Sequence, residues 1–161
     1  MSCCKAFNTR KWLYVLLAIA ACAGILFAVV PMFQKKSVID ELGIKRPRVA
    51  KFRAAIPELA EVETLMNNDE YYDAIDIVEG LLKESDKSIS GYDKEQLNVD
   101  EELMYEYQLQ KMVTDELRWT YIYLLVVLES ERSAIKELKK YLGDEACAHR
   151  EEAEDMLDAL L

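Results

Sequence analysis

Hydrophobic positions are distributed along the 161-residue chain in two different ways. Residues 12–33 (WLYVLLAIAACAGILFAVVPMF) form an apolar run without a single charge. From residue 49 onward, apolar positions recur every three or four residues, the period of helices that bury one face. As a helix the first run is about 33 Å long, enough to cross about 30 Å of hydrocarbon. Trp12 and Tyr14 stand at one end and Phe33 at the other, with Arg10, Lys11, Lys35 and Lys36 just outside. That is the order of an interfacial aromatic belt and its flanking cations. Pro31 falls near the end of the run, where a kink costs least. The pattern predicts a basic tail (residues 1–11) and a transmembrane signal anchor (residues 12–34).

Two other readings of the run remain open. Ala18-Ile19-Ala20 has the small-x-small form of a signal-peptide cleavage site, although the apolar run continues about a dozen residues past it. Ile19-Ala20-Ala21-Cys22 has the form of a bacterial lipobox, but the mature chain would then open on Cys22-Ala23-Gly24-Ile25-Leu26-Phe27, an unusually apolar start.

Residues 35–56 are expected to connect membrane and domain. Val49, Phe52 and Ile56 share a helical face among Arg48, Lys51 and Arg53, so a short basic helix either lies on anionic headgroups or forms a plain joint. Residues 57–161 are expected to form a helical domain. Pro57 suits a first helical turn, and Leu59, Val62, Leu65 and Met66 give one apolar face. Asn67-Asn68-Asp69 breaks that helix. Tyr71, Ala74, Ile75, Val78, Leu81 and Leu82 define the next, with Asp69, Asp73, Asp76 and Glu79 opposite and Asp69 as its cap. Ser85, Ser88, Ser90, Gly91 and Asn98 suggest a loop over 85–99. A helix then runs from Asp100 to about Leu128, with a bend and new cap at Thr114-Asp115-Glu116. It is apolar on two faces (Leu117, Tyr121, Leu124, Leu125, Leu128; Trp119, Ile122, Val126, Val127), as a helix between neighbours must be. After a turn at 129–132, a helix from Ser133 buries Ala134, Leu138, Tyr141 and Leu142. Gly143 is expected to end it in the left-handed conformation. Asp144 then starts a last helix with Ala146, Ala153, Met156, Leu157 and Leu160 on one face. No segment shows strand alternation, so the predicted class is all-α: one transmembrane helix and then five to seven antiparallel helices.

Ala74-Ile75-x-x-Val78-x-x-Leu81-Leu82 and Ala134-Ile135-x-x-Leu138-x-x-Tyr141-Leu142 share one pattern, and each follows a helix across a polar turn. Trp119, Ile122, Tyr123 and Val126 supply the aromatic and apolar positions of a preceding helix. The pattern resembles the tetratricopeptide repeat, and the arrangement over 12–161 resembles bacterial single-span membrane-anchored tetratricopeptide proteins. The specific part lies over 116–160. The Trp119 to Ala134 spacing is one residue short of the consensus, the small residue of the first helix is absent, and no Pro follows the second. The two Ala residues are 60 apart, where adjacent repeats give about 34, so an insertion or a degenerate unit, roughly residues 85–115, is expected between them. The resemblance implies a short α-solenoid with Ala74, Val78, Leu81, Trp119, Ile122, Tyr123, Ala134, Leu138 and Tyr141 as its core. It also implies binding or scaffolding rather than catalysis, and a domain outside the cytoplasm.

Charge sharpens this picture. The net charge is −10, but residues 1–36 hold five bases and no acid. From residue 54 the balance is 28 acids to 10 bases, a net −18. Such a surface repels phosphate backbones and excludes nucleic acid as an expected ligand. It suits a protein partner carrying Lys or Arg, while membrane lipid is met through residues 12–34. Seven bases over 34–53 against three in the tail favour a cytoplasmic domain by the positive-inside rule. The resemblance points to the exported side, and that is the placement expected here. Cys3 and Cys4 lie in the tail, Cys22 in the apolar run and Cys147 in the domain, so no internal disulfide can form there. The single histidine, His149, has Glu145 and Glu152 near it in sequence, too few ligands for a closed metal site. No phosphate loop or nucleophile motif appears. No cofactor, metal or catalytic residue is expected.

Tyr105, Tyr107, Asp69, Asp73 and Asp76 are the candidate partner surface, since exposed Tyr offers large contact area at low entropy cost. The expected function is a membrane-tethered interaction scaffold. The alternatives are a holdase-like accessory of the export machinery and a self-associating structural membrane protein. Mass spectrometry of the mature N terminus is expected to find residues 1–36 retained. A chain beginning after Ala20, or at a lipid-modified Cys22, contradicts the anchor.

Overall fold

The computed structural model describes residues 37–161, apart from Arg53 and Ala55. The expected tail, transmembrane segment and start of the connector lie outside the described residues. Among the described residues no helix is long and apolar enough to cross a membrane, and none of them forms a strand. The elements are α1 (Val38–Leu42), a 3₁₀ turn (Val49–Phe52), α2 (Leu59–Asn67), α3 (Tyr71–Ser90), α4 (Lys94–Leu97), α5 (Glu101–Val127), α6 (Glu131–Leu142) and α7 (Arg150–Leu160).

Helices α2, α3, α5, α6 and α7 pack in that order, each on the next. Ser85 of α3 meets Thr114, and Tyr92, just past the end of α3, meets Tyr107 upstream on α5, so the two helices are antiparallel. The amphipathic faces read from the sequence are the buried ones: Leu59, Val62 and Met66 of α2, Ala74 and Val78 of α3, Ala134 and Leu138 of α6, Ala153 and Met156 of α7. Helix α5 buries Leu117, Trp119, Ile122, Tyr123, Leu124, Leu125 and Val126, which lie all round its axis. The two Ala-Ile helices differ at their ends: α3 buries Leu82 and leaves Leu81 half-buried, whereas α6 buries Tyr141 and leaves Leu142 half-buried.

The connector is part of this body. Val49 is fully buried, α1 lies against α5 and α7, and the 3₁₀ turn lies against α2 and α5. Of the two readings of this segment, a basic helix on headgroups or a plain joint, the burial of Val49 against protein fits the joint. Arg46 reinforces this: its guanidinium donates to Asn67, Asp69 and the Tyr71 hydroxyl across the α2–α3 turn. Contact of α1 with α7 also joins the first described helix to the last, whereas an open solenoid has contacts between neighbours alone.

Several local expectations are corrected. Residues 85–90 continue α3, because Ser85 is buried and its hydroxyl bonds Thr114 and Gln110 across the helix pair. A small hydroxyl with two partners sits inside a helix interface without penalty. Residues 94–97 form a further short helix capped by Asp93. Helix α5 is not broken at Thr114, whose hydroxyl donates back to the Gln110 carbonyl instead of capping a new helix. Asp69 does not cap α3; it adopts φ 61°, and its carboxylate accepts from Arg46 and Tyr71. Gly143 has φ −69°, and the Arg150 guanidinium takes the Leu142 and Asp144 carbonyls in place of a left-handed cap. The last helix starts at Arg150, not Asp144, and Ala146 is exposed while Cys147 is buried.

The expected insertion over 85–115 is not a separate unit. It is the extension of α3 and α5 beyond their shorter neighbours, closed by α4. The two Ala positions mark close crossings, so Ala134→Leu should cost about 1–3 kcal/mol by overpacking. Exposed Ala159→Leu should be nearly neutral; urea denaturation of both variants checks this.

Candidate functional site

Where α3 and α5 leave the body, a cleft of about 660 Å³ opens. Helix α5 supplies one wall through Tyr107, Gln108, Lys111, Met112 and Asp115, which recur on one side of the helix. Asp86 and Ile89 of α3, Lys51 and Phe52 of the 3₁₀ turn, and Asp144, Ala146 and Ala148 of the α6–α7 loop supply the rest.

Every cation of the cleft is already paired. Lys51 Nζ lies 2.7 Å from Glu116, Arg118 donates to Asp86 at 2.6 Å, and Lys111 lies 3.6 Å from Asp144. Asp115 accepts from the Tyr141 hydroxyl at 3.1 Å and from the Ala148 N–H at 3.2 Å. Asp144 is held below the usual carboxylate range, first by the Ala146 N–H and then by Lys111 against the opposing effect of burial. These pairs tie three chain segments to α5 and build a cleft of fixed shape.

Glu116 is the buried member of the set. Burial alone would raise its pKa, but Lys51 and His149 outweigh this and the carboxyl is held below its ordinary value. His149 Nε2 sits 3.5 Å from Glu116 without hydrogen-bond geometry, so their attraction is one of charge. The imidazole stacks on Trp119, with centroids 5.0 Å apart and planes at 11°. Its pKa is raised by the Glu116 carboxylate, against burial and with help from Glu152 and Asp115. The backbone N–H of His149 donates to the Tyr141 hydroxyl, whose own ionisation burial pushes well upward.

Of the sequence grouping of His149 with Glu145 and Glu152, only Glu152 acts on the imidazole, and Glu116 is its nearest acid, because His149 precedes the first turn of α7 and its ring turns toward α5. Among the described residues, no three His, Cys, Asp or Glu side chains are placed to hold a metal ion.

The candidate partner surface is divided. Tyr105 is exposed, while Tyr107 lines the cleft and packs edge-on against Tyr92. Asp73 and Asp76 are exposed on the first turns of α3, and Asp69 is engaged by Arg46. The antiparallel helices put these acids at the end of α3 opposite Tyr92. Asp76 and Ser90, the last residue of α3, are separated by roughly 21 Å along the helix, so the two halves of the predicted surface are not one site. Trp119, Ile122, Tyr123, Ala134, Leu138 and Tyr141 are buried core. Lys51, Asp86 and Arg118 were not among the predicted site residues, because their pairing depends on contacts across the fold. Glu116 had one local signal, an acid between the apolar Val113 and Leu117 of a buried helix.

Comparison with protein families, with curated proteins and with solved structures finds no match to this chain.

The Glu116–His149 contact sets a pH dependence. A raised His149 pKa contributes stability in full below its unfolded value near 6.5, and that contribution is lost as pH rises through the folded value. A lowered Glu116 pKa contributes above its unfolded value near 4.5, and that is lost as pH falls through the folded value. Urea denaturation should therefore separate the native chain from His149→Gln most between about pH 4.5 and 6.5. The gap should narrow toward pH 9. A constant gap would show that the charge of His149 contributes nothing.

Proposed function

We propose that this chain is a membrane-tethered protein-interaction scaffold. Its helical domain acts by binding and not by catalysis, and its docking region is the cleft and the adjoining upstream part of α5. The observation that carries this reading is the cleft itself: a mixed apolar and charged surface whose cations are all internally paired, bordered by exposed Tyr105 and Met112. Large exposed apolar side chains beside a preformed cleft mark an interaction surface more often than an accident of folding. The apolar run at 12–33 supplies the tether in this reading. Tethering raises the effective concentration at membrane-bound partners, so modest affinity is enough. The repeated Ala-Ile helices support a tetratricopeptide-like ancestry, and with it a domain on the exported side of the membrane.

Photo-crosslinkers at Gln108 and Ala146, tested in native membranes, should trap a discrete protein that one at Asp158 on α7 does not. Recovery of lipid or of the chain alone contradicts the scaffold. A reporter fused after Leu161 should function only outside the cytoplasm, and activity confined to the cytoplasm contradicts the orientation.

A further inference from the structure

One stripe of α5 runs through positions 105, 109, 112, 116, 120 and 123, spaced by three and four residues. Downstream it is covered: Glu116, Thr120 and Tyr123 are buried, and Glu116 lies under Lys51 and His149. Upstream it is bare. Tyr105, Leu109 and Met112 are 68%, 40% and 60% exposed. The stripe thus passes from interior to surface within one turn, at the edge of the cleft where Met112 stands. The pattern is that of a helix face that no other described helix covers over its upstream turns. An apolar stripe at i, i+4 and i+7 is the geometry by which one helix receives another.

Charge narrows the occupant. Glu101, Glu102 and Glu106 surround the stripe and are exposed, and none is ion-paired among the described side chains. The cations nearby, Lys51 and Lys111, already have acid partners. A second copy in a two-fold pair would bring the same acid-rich patch against itself, with no unpaired cation among its described residues to offer it, and anionic lipid would be repelled by it.

We infer that the bare upstream face of α5 seats a single amphipathic helix of a partner protein, with an apolar stripe toward Tyr105, Leu109 and Met112 and Lys or Arg on its flanks. This rests on the scaffold reading and gives the partner its chemistry. Apolar contact supplies the affinity, and the acids supply encounter rate and choice of sign.

The test uses the full chain with ¹³C-methyl methionine in phosphatidylcholine nanodiscs. It is titrated with a synthetic Leu/Lys amphipathic helix and with a Leu/Glu helix of the same pattern. Met112 is the reporter, and Met66 and Met156, both fully buried, report the intact core. The Leu/Lys helix should shift the Met112 methyl, leave Met66 and Met156 in place, and bind at least about tenfold more tightly than the Leu/Glu helix. Leu109→Ser should weaken it about tenfold, the loss of one apolar anchor. Glu101→Gln, Glu102→Gln and Glu106→Gln together should bring the two helices close in affinity.

A Met112 signal that moves no more than Met66, or binding that ignores Leu109→Ser, overturns the inference. Equal binding of the Leu/Glu helix at Met112 overturns the basic partner while leaving a docking face. A Met112 shift that follows protein concentration without peptide makes a second copy the occupant and overturns it as well. Native-membrane crosslinking at Gln108 reads the scaffold separately, so failure of either reading is seen alone.

Discussion

Helix α5 is 27 residues long, on the order of 40 Å, and its neighbours are shorter. Helix α3 has 20 residues, α6 has 12, α7 has 11 and α2 has 9. They cannot cover all of it. Its downstream half is enclosed on all sides and holds most of the core. Among the described residues its upstream half is flanked by α3, the short α4 and, through Lys111 and Asp144, the α6–α7 loop. The cleft, the exposed stripe and the position of the charge pairs all follow from this mismatch of lengths. An apolar face that lacks a helix to cover it must meet water or a partner.

At the boundary between the two halves stands Glu116. A buried carboxylate is costly unless it is paired, and removal of one partner from such a pair commonly costs several kcal/mol. Here the partners come from both ends of the described chain, Lys51 from the 3₁₀ turn and His149 from the start of α7. The same acid therefore fixes the N-terminal segment and the C-terminal helix onto α5. Arg46 has the parallel role at the α2–α3 turn, where it joins Asn67, Asp69 and Tyr71. The domain does not end at Pro57. Residues before Pro57 are held to the rest of it by the Arg46 and Lys51 charge pairs and by a buried Val49.

Much of the architecture was legible in the periodicity. The faces of α2, α3, α6 and α7, and the two-sided burial of α5, follow directly from apolar spacing, because each helix meets one or two neighbours and must dry the corresponding face. What was not legible depended on which partner each polar group finds in the fold. Ser85 reads as a loop residue until Thr114 and Gln110 stand across from it. Thr114 reads as a cap until its hydroxyl bonds its own helix. Gly143 reads as a left-handed stop, but Arg150, seven residues later, satisfies the carbonyls. The candidate surface divides for the same reason: Tyr105 and Asp73 are both exposed, and only the antiparallel course of α3 and α5 puts them at opposite ends.

The central claim is that α5 is supported along one half and bare along the other, and amide hydrogen exchange along that helix tests it most directly. Protection reflects the free energy of local opening. In the full chain at neutral pH, amides of residues 117–126 should exchange with the global unfolding of the domain, and amides of 103–112 should exchange many-fold faster through opening of the α3–α5 extension. Equal protection over the whole of α5 would contradict the account, because it would mean that the upstream face is already covered.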